Sequence, residues 1–528
     1  MAVENLLAKA IGLGAALVLL RFAITFFASP NKSIPGPFLA RFTDLWRFYD
    51  YWCCTQTSTH QTLHKKLGPA VRIGPNMVSL SDPELIKQVY STRGDFLKSN
   101  FYEVADASSQ GQRLENLFST RSNVFHARHL RPYQKYFSMN NILAKQHLAD
   151  NMMRTLCDQL ERRFVDGANA GKTVDLADWI EFTAWDLDWE MTFSQDMGFL
   201  RTGTDVQGMI HTGEMIMRYL GCVGQIPWLD RLLGKNPYCP IKFATFEHAA
   251  LYCVQRVMER AAARGTSSEK KDMGSGDFLD NFLDAKETHP DTVGDNEVVS
   301  YLMMNVLAGA DTTAIVMKSI VWYILSSSRD RNDSDDSVKA RLVAELDAAN
   351  LSFPPKYEET RDLPYLNAVI REGMRMHPVI SGILERVVPQ GGPGLTLPDG
   401  RVIAPGTKVG LSAWVTSRNE DTFGPEPDKF NPDRWLQGPG ESDDAFAARL
   451  RRMNGADMTF GAGNRICVGR NMANVEIHKV VSTLFSRYDI KLDDSRKQWS
   501  PRWWWFTFVD NIQVKLQRRP GVPEVKAR

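Results

Sequence analysis

The stretch VVSYLMMNVLAGADTTAIVMKSIVWYIL, residues 298 to 325, constrains this chain most strongly. Its apolar helical pattern invites a transmembrane assignment, but Asn305, Asp311 and Lys318 interrupt it, and ionisable groups are costly in hydrocarbon. It reads instead as a long helix of the folded body. Inside it, AGADTT is locally unfavourable: a mid-helix glycine such as Gly309 costs about 1 kcal/mol relative to alanine, and Asp311 is costly in apolar surroundings unless satisfied. Such violations of local preference mark functional sites. A buried helix with no chemistry is the alternative.

No repeat, long low-complexity tract or abrupt change in composition divides the interior of the 528 residues, which implies one large globular unit. Lys and Arg number 63 against 62 Asp and Glu, a net charge of +1, so bulk charge does not draw a nucleic-acid partner. The cysteines at 53, 54, 157, 222, 239, 253 and 467 form neither a CxxC pair nor zinc-like spacing, and they suit a reducing compartment.

At the N-terminus, AIGLGAALVLLRFAITFFA, residues 10 to 28, is just long enough to span a bilayer, with Arg21 as its one charge. Residues 1–29 are read as a single-pass membrane anchor, with a cleaved signal peptide as the alternative. Lys32, Arg41 and Arg47 follow it and would hold the rest, residues 30–528, on the cytosolic side. Pro30, Pro35, Gly36 and Pro37 form a stiff hinge between the two.

Beyond the hinge, PAVRIGPNMVSLSD predicts a short hairpin, and residues of roughly 125 to 260 are mostly helical in pattern. The polar stretches Ala263 to Asp277 and Ser326 to Ser337 predict loops. Short β-like runs return in GGPGLTLPDGRVIAPGTKVGLSAW and WWWFTFVDNIQVKLQ. The fold class is mainly α with a minor β part.

FGAGNRICVGR, residues 460 to 470, places Cys467 among three glycines and ahead of a helical pattern. Glycines at 461, 463 and 469 let the backbone approach a flat ligand closely. A helix N-terminus favours thiolate, the form that binds metal, and Arg465 offers a planar fork for a carboxylate. A small buried cysteine in a turn is the bland alternative. A dinucleotide loop is rejected, because the third glycine of GxGxxG is missing.

FGAGNRICVG resembles the haem-binding signature of the cytochrome P-450 family, with Phe460, Gly463, Arg465, Cys467 and Gly469 at its spacing. The resemblance implies the P-450 fold: one catalytic domain with haem b (iron protoporphyrin IX) between a long distal helix and a proximal cysteine loop. It makes Cys467 the axial iron ligand and Arg465 a propionate partner; thiolate ligation favours O–O cleavage. Phe460, Gly469, Arg386 and His126 are the further haem-binding positions it implies. Leu130 stands where the family commonly has a basic residue, with Arg128 and Arg131 as substitutes.

AGADTT resembles the family's distal helix. Ala308 and Gly309 would leave room for oxygen and substrate, while Asp311 and Thr312 would relay protons toward dioxygen. Ile380 to Leu384, with Ile380 and Ile383 chosen, match a strand that lines the substrate pocket. Glu372 and Arg375 lie on one helical face, and with Arg434 in FNPDRW they match the family's buried network, assigned here to folding. The early phrases look most like fungal membrane-bound enzymes similar to pisatin demethylase.

The function that this resemblance implies is that of a haem-thiolate monooxygenase, oxidising an apolar small molecule, a fungal secondary metabolite, by hydroxylation, demethylation or related C–H oxidation. It would use O2 and electrons from a separate NADPH-cytochrome reductase, at the endoplasmic reticulum membrane. Arg470 and Lys479 are candidates for steering that reductase. An isomerase or dehydratase that keeps the haem, and a non-catalytic haem sensor or carrier, are the alternatives; retention of Asp311 and Thr312 disfavours both. The three tryptophans at 503 to 505 read as core or membrane-contact packing.

Overall fold

The computed structural model describes residues 2–109, 112–266, 276–329 and 336–525. The helices that position the site are Ala2–Phe27 (α1), Asn123–Gln134 (α2), Gln146–Leu160 (α3), Leu176–Phe193 (α4), Met209–Val223 (α5), Glu247–Thr266 (α6), Asp295–Arg329 (α7), Pro364–Met376 (α8) and Arg470–Arg487 (α9). The apolar stretch with the look of a membrane span is α7, and it runs through the protein instead. It packs on α4, α6, α8 and α9, and Val306, Ala310, Ala314, Met317, Ile320 and Val321 are at most 1% exposed. A helix apolar all round is stable only inside such a sheath.

The β part is small. Ala70–Gly74 (β1), Met77–Leu80 (β2), Leu97–Lys98 (β3), Arg386–Val387 (β5) and Lys408–Leu411 (β6) form one sheet in the order β1-β2-β6-β5-β3. The predicted hairpin is β1 and β2, paired antiparallel. Val174–Asp175 (β4), Tyr488–Leu492 (β7) and Gln513–Arg518 (β10) form a second sheet, and Ser500–Trp503 (β8) with Thr507–Asp510 (β9) a hairpin. One pairing matters for function: β3 lies antiparallel to β5 with Lys98 opposite Arg386.

α1 leaves Leu13, Leu17, Leu20, Ile24 and Phe27 more than half exposed. It touches the body through Phe22 and Phe26, whose rings lie 5.8 Å and 5.4 Å from Phe42.

Three expectations need correction. The polar stretch from Ala263 begins as helix, because α6 continues to Thr266; its remainder, 267–275, lies outside the described residues. Similarly, Ser326 to Arg329 form the last turn of α7, and 330–335 lie outside the described residues. Arg47 is no exposed flank of the anchor: it is 1% exposed, paired with Asp44 and Glu385 at 2.8 Å each, and donates to the Gln225 carbonyl at 2.7 Å.

Two of the three tryptophans at 503 to 505 are core, and Trp503 is partly exposed. Trp504 and Trp505 are 5% and 1% exposed, and the Trp505 ring lies 5.2 Å from Phe101 and 5.9 Å from Phe118.

Candidate functional site: an interior thiol and an unbalanced basic cluster

The cysteine loop is held from both ends. The Cys467 amide donates to the Phe460 carbonyl at 2.8 Å, and Gly469 caps α9. Gly463, at φ 67°, has Tyr90 at its back: a Cβ there would lie 1.8 Å from the Tyr90 carbonyl oxygen. Only glycine fits that approach. Gly463 therefore brings backbone against backbone, not against a flat ligand as the sequence suggests, and a Cβ at Gly461 or Gly469 would meet nothing closer than 3.8 Å.

Cys467 lies deep enough that burial is the largest influence on its thiol, pushing its pKa up. The Gly469 and Arg470 amides and the Arg470 charge pull the other way without prevailing. Yet Cys467 keeps an exposed surface, as does its neighbour Ile466. A group both deep and accessible faces an internal space. On α7, Ala308 is exposed and Thr312 partly so, although Val306 and Ala310 beside them are fully covered. Thr312 Oγ1 donates to the Ala308 carbonyl at 2.7 Å, which turns the hydroxyl oxygen's lone pairs outward from the helix. Phe460 is partly buried against the main core.

The second component is electrostatic. Lys98 from β3, His126 from α2, Arg386 from β5 and Arg465 from the cysteine loop are close enough to repel one another. Burial and then the Arg386 and Arg465 charges hold the Lys98 ammonium well below its ordinary value. Burial, Arg465 and Lys98 bring His126 down to about 3. Burial and Arg386 bring Arg465 down to about 10. Among the described residues no carboxylate pairs with Lys98, Arg386 or Arg465, and Arg465 Nη1 is buried without a partner. Nearby neutral groups do what they can: Tyr102 accepts from Arg386 at 3.4 Å, and Lys98 lies 4.3 Å above the Tyr102 ring and donates to the Phe118 carbonyl. Buried positive charge without a counter-charge is expensive.

This donor set fits a planar group bearing two carboxylates and a thiolate-seeking metal. Cys467 would hold the iron of a haem, and Arg386, Arg465, His126 and Lys98 would face its propionates. Lys98 escapes sequence reasoning, because a lysine in LKSNFYE carries no motif; only its pairing opposite Arg386 brings it in. The substitutes for Leu130 do not serve. Arg128 is spent on the Asp291 carbonyl at 2.6 Å and Thr292 at 3.4 Å, Arg131 is exposed, and Leu130 packs on the core.

Three further residues differ from expectation. Gly309 makes no room for substrate: a Cβ there would lie 2.8 Å from Asp188 Oδ1, so the glycine admits α4. Ile383 turns under the sheet with Val71, Ile73 and Met77, whereas Ile380 stays on the main-core side, bridged to Phe506. Lys479 cannot steer a partner, being 0% exposed and paired with Asp150 at 2.5 Å; Arg470 is exposed.

Asp311, 4% exposed, faces α4 and α5: Trp185 Nε1 donates to its Oδ1 at 3.0 Å, and Gly213 leaves space for its Oδ2. Burial, then the Glu181 charge, pushes its carboxyl well above the usual range.

The expected network forms. Arg375 makes two bonds to Glu372, at 2.8 Å and 2.7 Å, Trp435 Nε1 donates at 2.9 Å, the Asn431 amide at 2.9 Å and Arg434 at 3.4 Å. Arg375 also donates to the Ser417 and Pro427 carbonyls, both at 2.7 Å, which pins the end of α8 to the segment leading to the cysteine loop.

Comparison with known proteins agrees with this geometry. The family model described as Cytochrome P450 matches residues 50–514. The chain is 35% identical over 514 residues to a cytochrome P450 monooxygenase, cfoH, of Aspergillus candidus, covering 96% of this chain and 91% of that protein. It is 35% identical over 501 residues to the monooxygenase asR2 of Sarocladium schorii, covering 92% of each. It is 32% identical over 498 residues to the monooxygenase cicH of Emericella nidulans, covering 93% and 95%.

Proposed function

Because this chain belongs to the cytochrome P450 family and is a haem monooxygenase of the oxidoreductase class, we propose that it oxidises an apolar small molecule of fungal secondary metabolism at a C–H bond. The observation that carries the site assignment is the interior, accessible Cys467 beside a basic cluster with which no carboxylate pairs among the described residues. When bound, the haem supplies the oxidising chemistry, driven by O2 and by electrons that come from NADPH through a separate reductase.

The residues of the chain do the rest. The loop from Phe460 to Gly469 holds the thiol in one position. Arg386, Arg465 and Lys98 would supply the charge that neutralises two propionates, and His126, uncharged at its folded pKa of about 3, would offer them a hydrogen bond. Ala308 and Ile380 border the space where substrate lies, and their apolar surface excludes water. Thr312 holds a proton donor at that border, and Asp311 behind it stores the proton. Glu372, Arg375 and Arg434 support the loop and take no part in chemistry.

Residues 1–29 act as a single-pass anchor in the endoplasmic reticulum membrane, with 30–528 on the cytosolic side. The apolar side chains along α1 that no protein covers support this, and so does exposed Lys32 just after it.

The test is reconstitution with an NADPH-cytochrome reductase in lipid, following NADPH, O2 and product together, with candidate substrates taken from metabolites that accumulate on gene deletion. Product formed with matching O2 use is expected. Product without O2 use would mean an isomerase or dehydratase, and no product with any candidate a sensor or carrier. Thr312→Ala should keep NADPH consumption and divert it to hydrogen peroxide; unchanged coupling removes the role given to Thr312.

A further inference from the structure

Arg386 directly follows an acid that does not serve it. Glu385 is 2% exposed, and Arg386 Nη1 donates to its backbone carbonyl at 2.9 Å, but its carboxylate is taken by other groups. Oε1 accepts from Arg47 Nη1 at 2.8 Å and Oε2 from Ser99 Oγ at 2.5 Å. Ser99 in turn directly follows Lys98, which lies opposite Arg386. A closed ion pair and the open basic cluster therefore stand one residue apart at the end of the β3–β5 pair. Burial pushes the Glu385 carboxyl up, yet the Arg47 and Lys408 charges and the Ser99 and Arg47 hydrogen bonds bring it below its ordinary value.

Arg47 has partners besides this acid. It comes from the helix Leu45–Trp52 and donates to Asp44 Oδ1 at 2.8 Å, to Gln225 Oε1 at 3.2 Å and to the Gln225 carbonyl at 2.7 Å. The charge of Glu385, for its part, is felt in the cluster. Burial raises the pKa values of Tyr90 and Tyr102 most, and the Glu385 charge adds to the rise in both. These are the tyrosines that Arg386 touches: its guanidinium lies 5.0 Å from the Tyr90 ring centre and 3.4 Å from the Tyr102 hydroxyl.

We propose that Arg47 is a positioning residue for the haem propionates, acting through Glu385: by cancelling that carboxylate it keeps the cluster of Lys98, Arg386 and Arg465 short of an acid, and so keeps it a binding site. The proposal rests on the reading that this cluster holds the propionates. Between buried charges so close together, solvent screens little. Without Arg47, the Glu385 charge would offset one of the three cations, and the cluster would attract an anion less. Lys408, on β6 opposite Val387, is the further cation that holds Glu385 ionised. A plain structural clamp gives the opposite pattern. If Arg47 only tied the helix Leu45–Trp52 and Gln225 to β5, removing Glu385 as well would not restore what its own removal costs.

Transfer of haem from the loaded full chain to a haem-free globin reads this without turnover. Arg47→Met should speed the transfer about tenfold, the low end of what one charged hydrogen bond is worth. Glu385→Gln should hold haem at least as tightly as wild type, and Arg47→Met combined with Glu385→Gln should transfer it no faster than wild type. The double variant buries no unpaired carboxylate, so it decides the question even where Arg47→Met alone does not fold. A double variant that loses haem faster than wild type overturns the proposal. So does an Arg47→Met chain that keeps haem as wild type does, with Lys408 taking over the acid. A wild-type chain that takes up no haem removes the reading of the cluster itself, before any variant is compared.

Discussion

Two buried arginine clusters in this chain look alike in sequence and differ in balance. Around Glu372, Arg375 and Arg434 meet a carboxylate whose two oxygens accept from five donors, and the surplus guanidinium hydrogens go to backbone carbonyls. Around Arg465, three cations and a histidine repel one another, and one buried guanidinium nitrogen has no partner. The first cluster is complete as folded protein. The second would be completed by an anion, and in the proposed reading two propionates would supply the charge that it lacks. A buried cation is thus a scaffold where its partner is built in, and a binding site where the partner is left out.

The largest expected effect lies in the scaffold cluster. Glu372→Ala leaves two buried guanidinium groups uncompensated and should cost about 3–5 kcal/mol, seen as loss of soluble folded protein or a large drop in unfolding midpoint. A small change would mean that the two clusters do not differ in balance. In the open cluster the signs should split. Arg465→Met should weaken haem retention about 10–100-fold, a range borrowed from groups that support metal ligands, as measured by transfer to a haem-free globin. It should also raise the unfolding midpoint of the haem-free chain, because a repelling charge is gone. Stability falling in both forms would contradict an open cluster.

Lys98→Met should act in the same two directions with a loss of haem of similar size, worth about 1.5–3 kcal/mol for one charged hydrogen bond. The smallest effect concerns acid. His126 has a folded pKa of about 3 against an ordinary 6.5, so its contribution is whole above 6.5 and is lost as pH falls toward 3. His60, His64 and His377 are shifted the same way. His126→Asn should therefore reduce, without abolishing, the acid-side slope of stability in the haem-free chain. An unchanged slope would place His126 outside the cluster.

How much of the site is legible in the sequence divides along the same line. The cysteine loop and the Glu372 network sit in short motifs whose spacing fixes local geometry, and hydrogen bonds close the one from Cys467 to Phe460 and the other from Arg375 to Glu372. Lys98 carries no motif; strand pairing brings it opposite Arg386. Tertiary contact is not written in local spacing.

Other misreadings are avoidable. Lys479 lies nine positions after Arg470, about two and a half helical turns, and so faces the opposite way; it is buried while Arg470 is exposed. Gly309 suggests space for a ligand and provides space for α4. The loop expected from Ala263 gives way to helix because Arg260 and Arg264 pair with Asp277, Asp280 and Asp284, which carries α6 through a polar sequence.

Ligation by the Cys467 sulfur is tested most directly by one spectrum. The purified full chain is reduced, exposed to carbon monoxide and scanned against the reduced sample. The wild type should show the strongly red-shifted Soret band of a thiolate complex, and Cys467→Ala should lose it while folding normally. A folded wild-type chain that takes up no haem, or a Cys467→Ala variant that keeps the band, contradicts it.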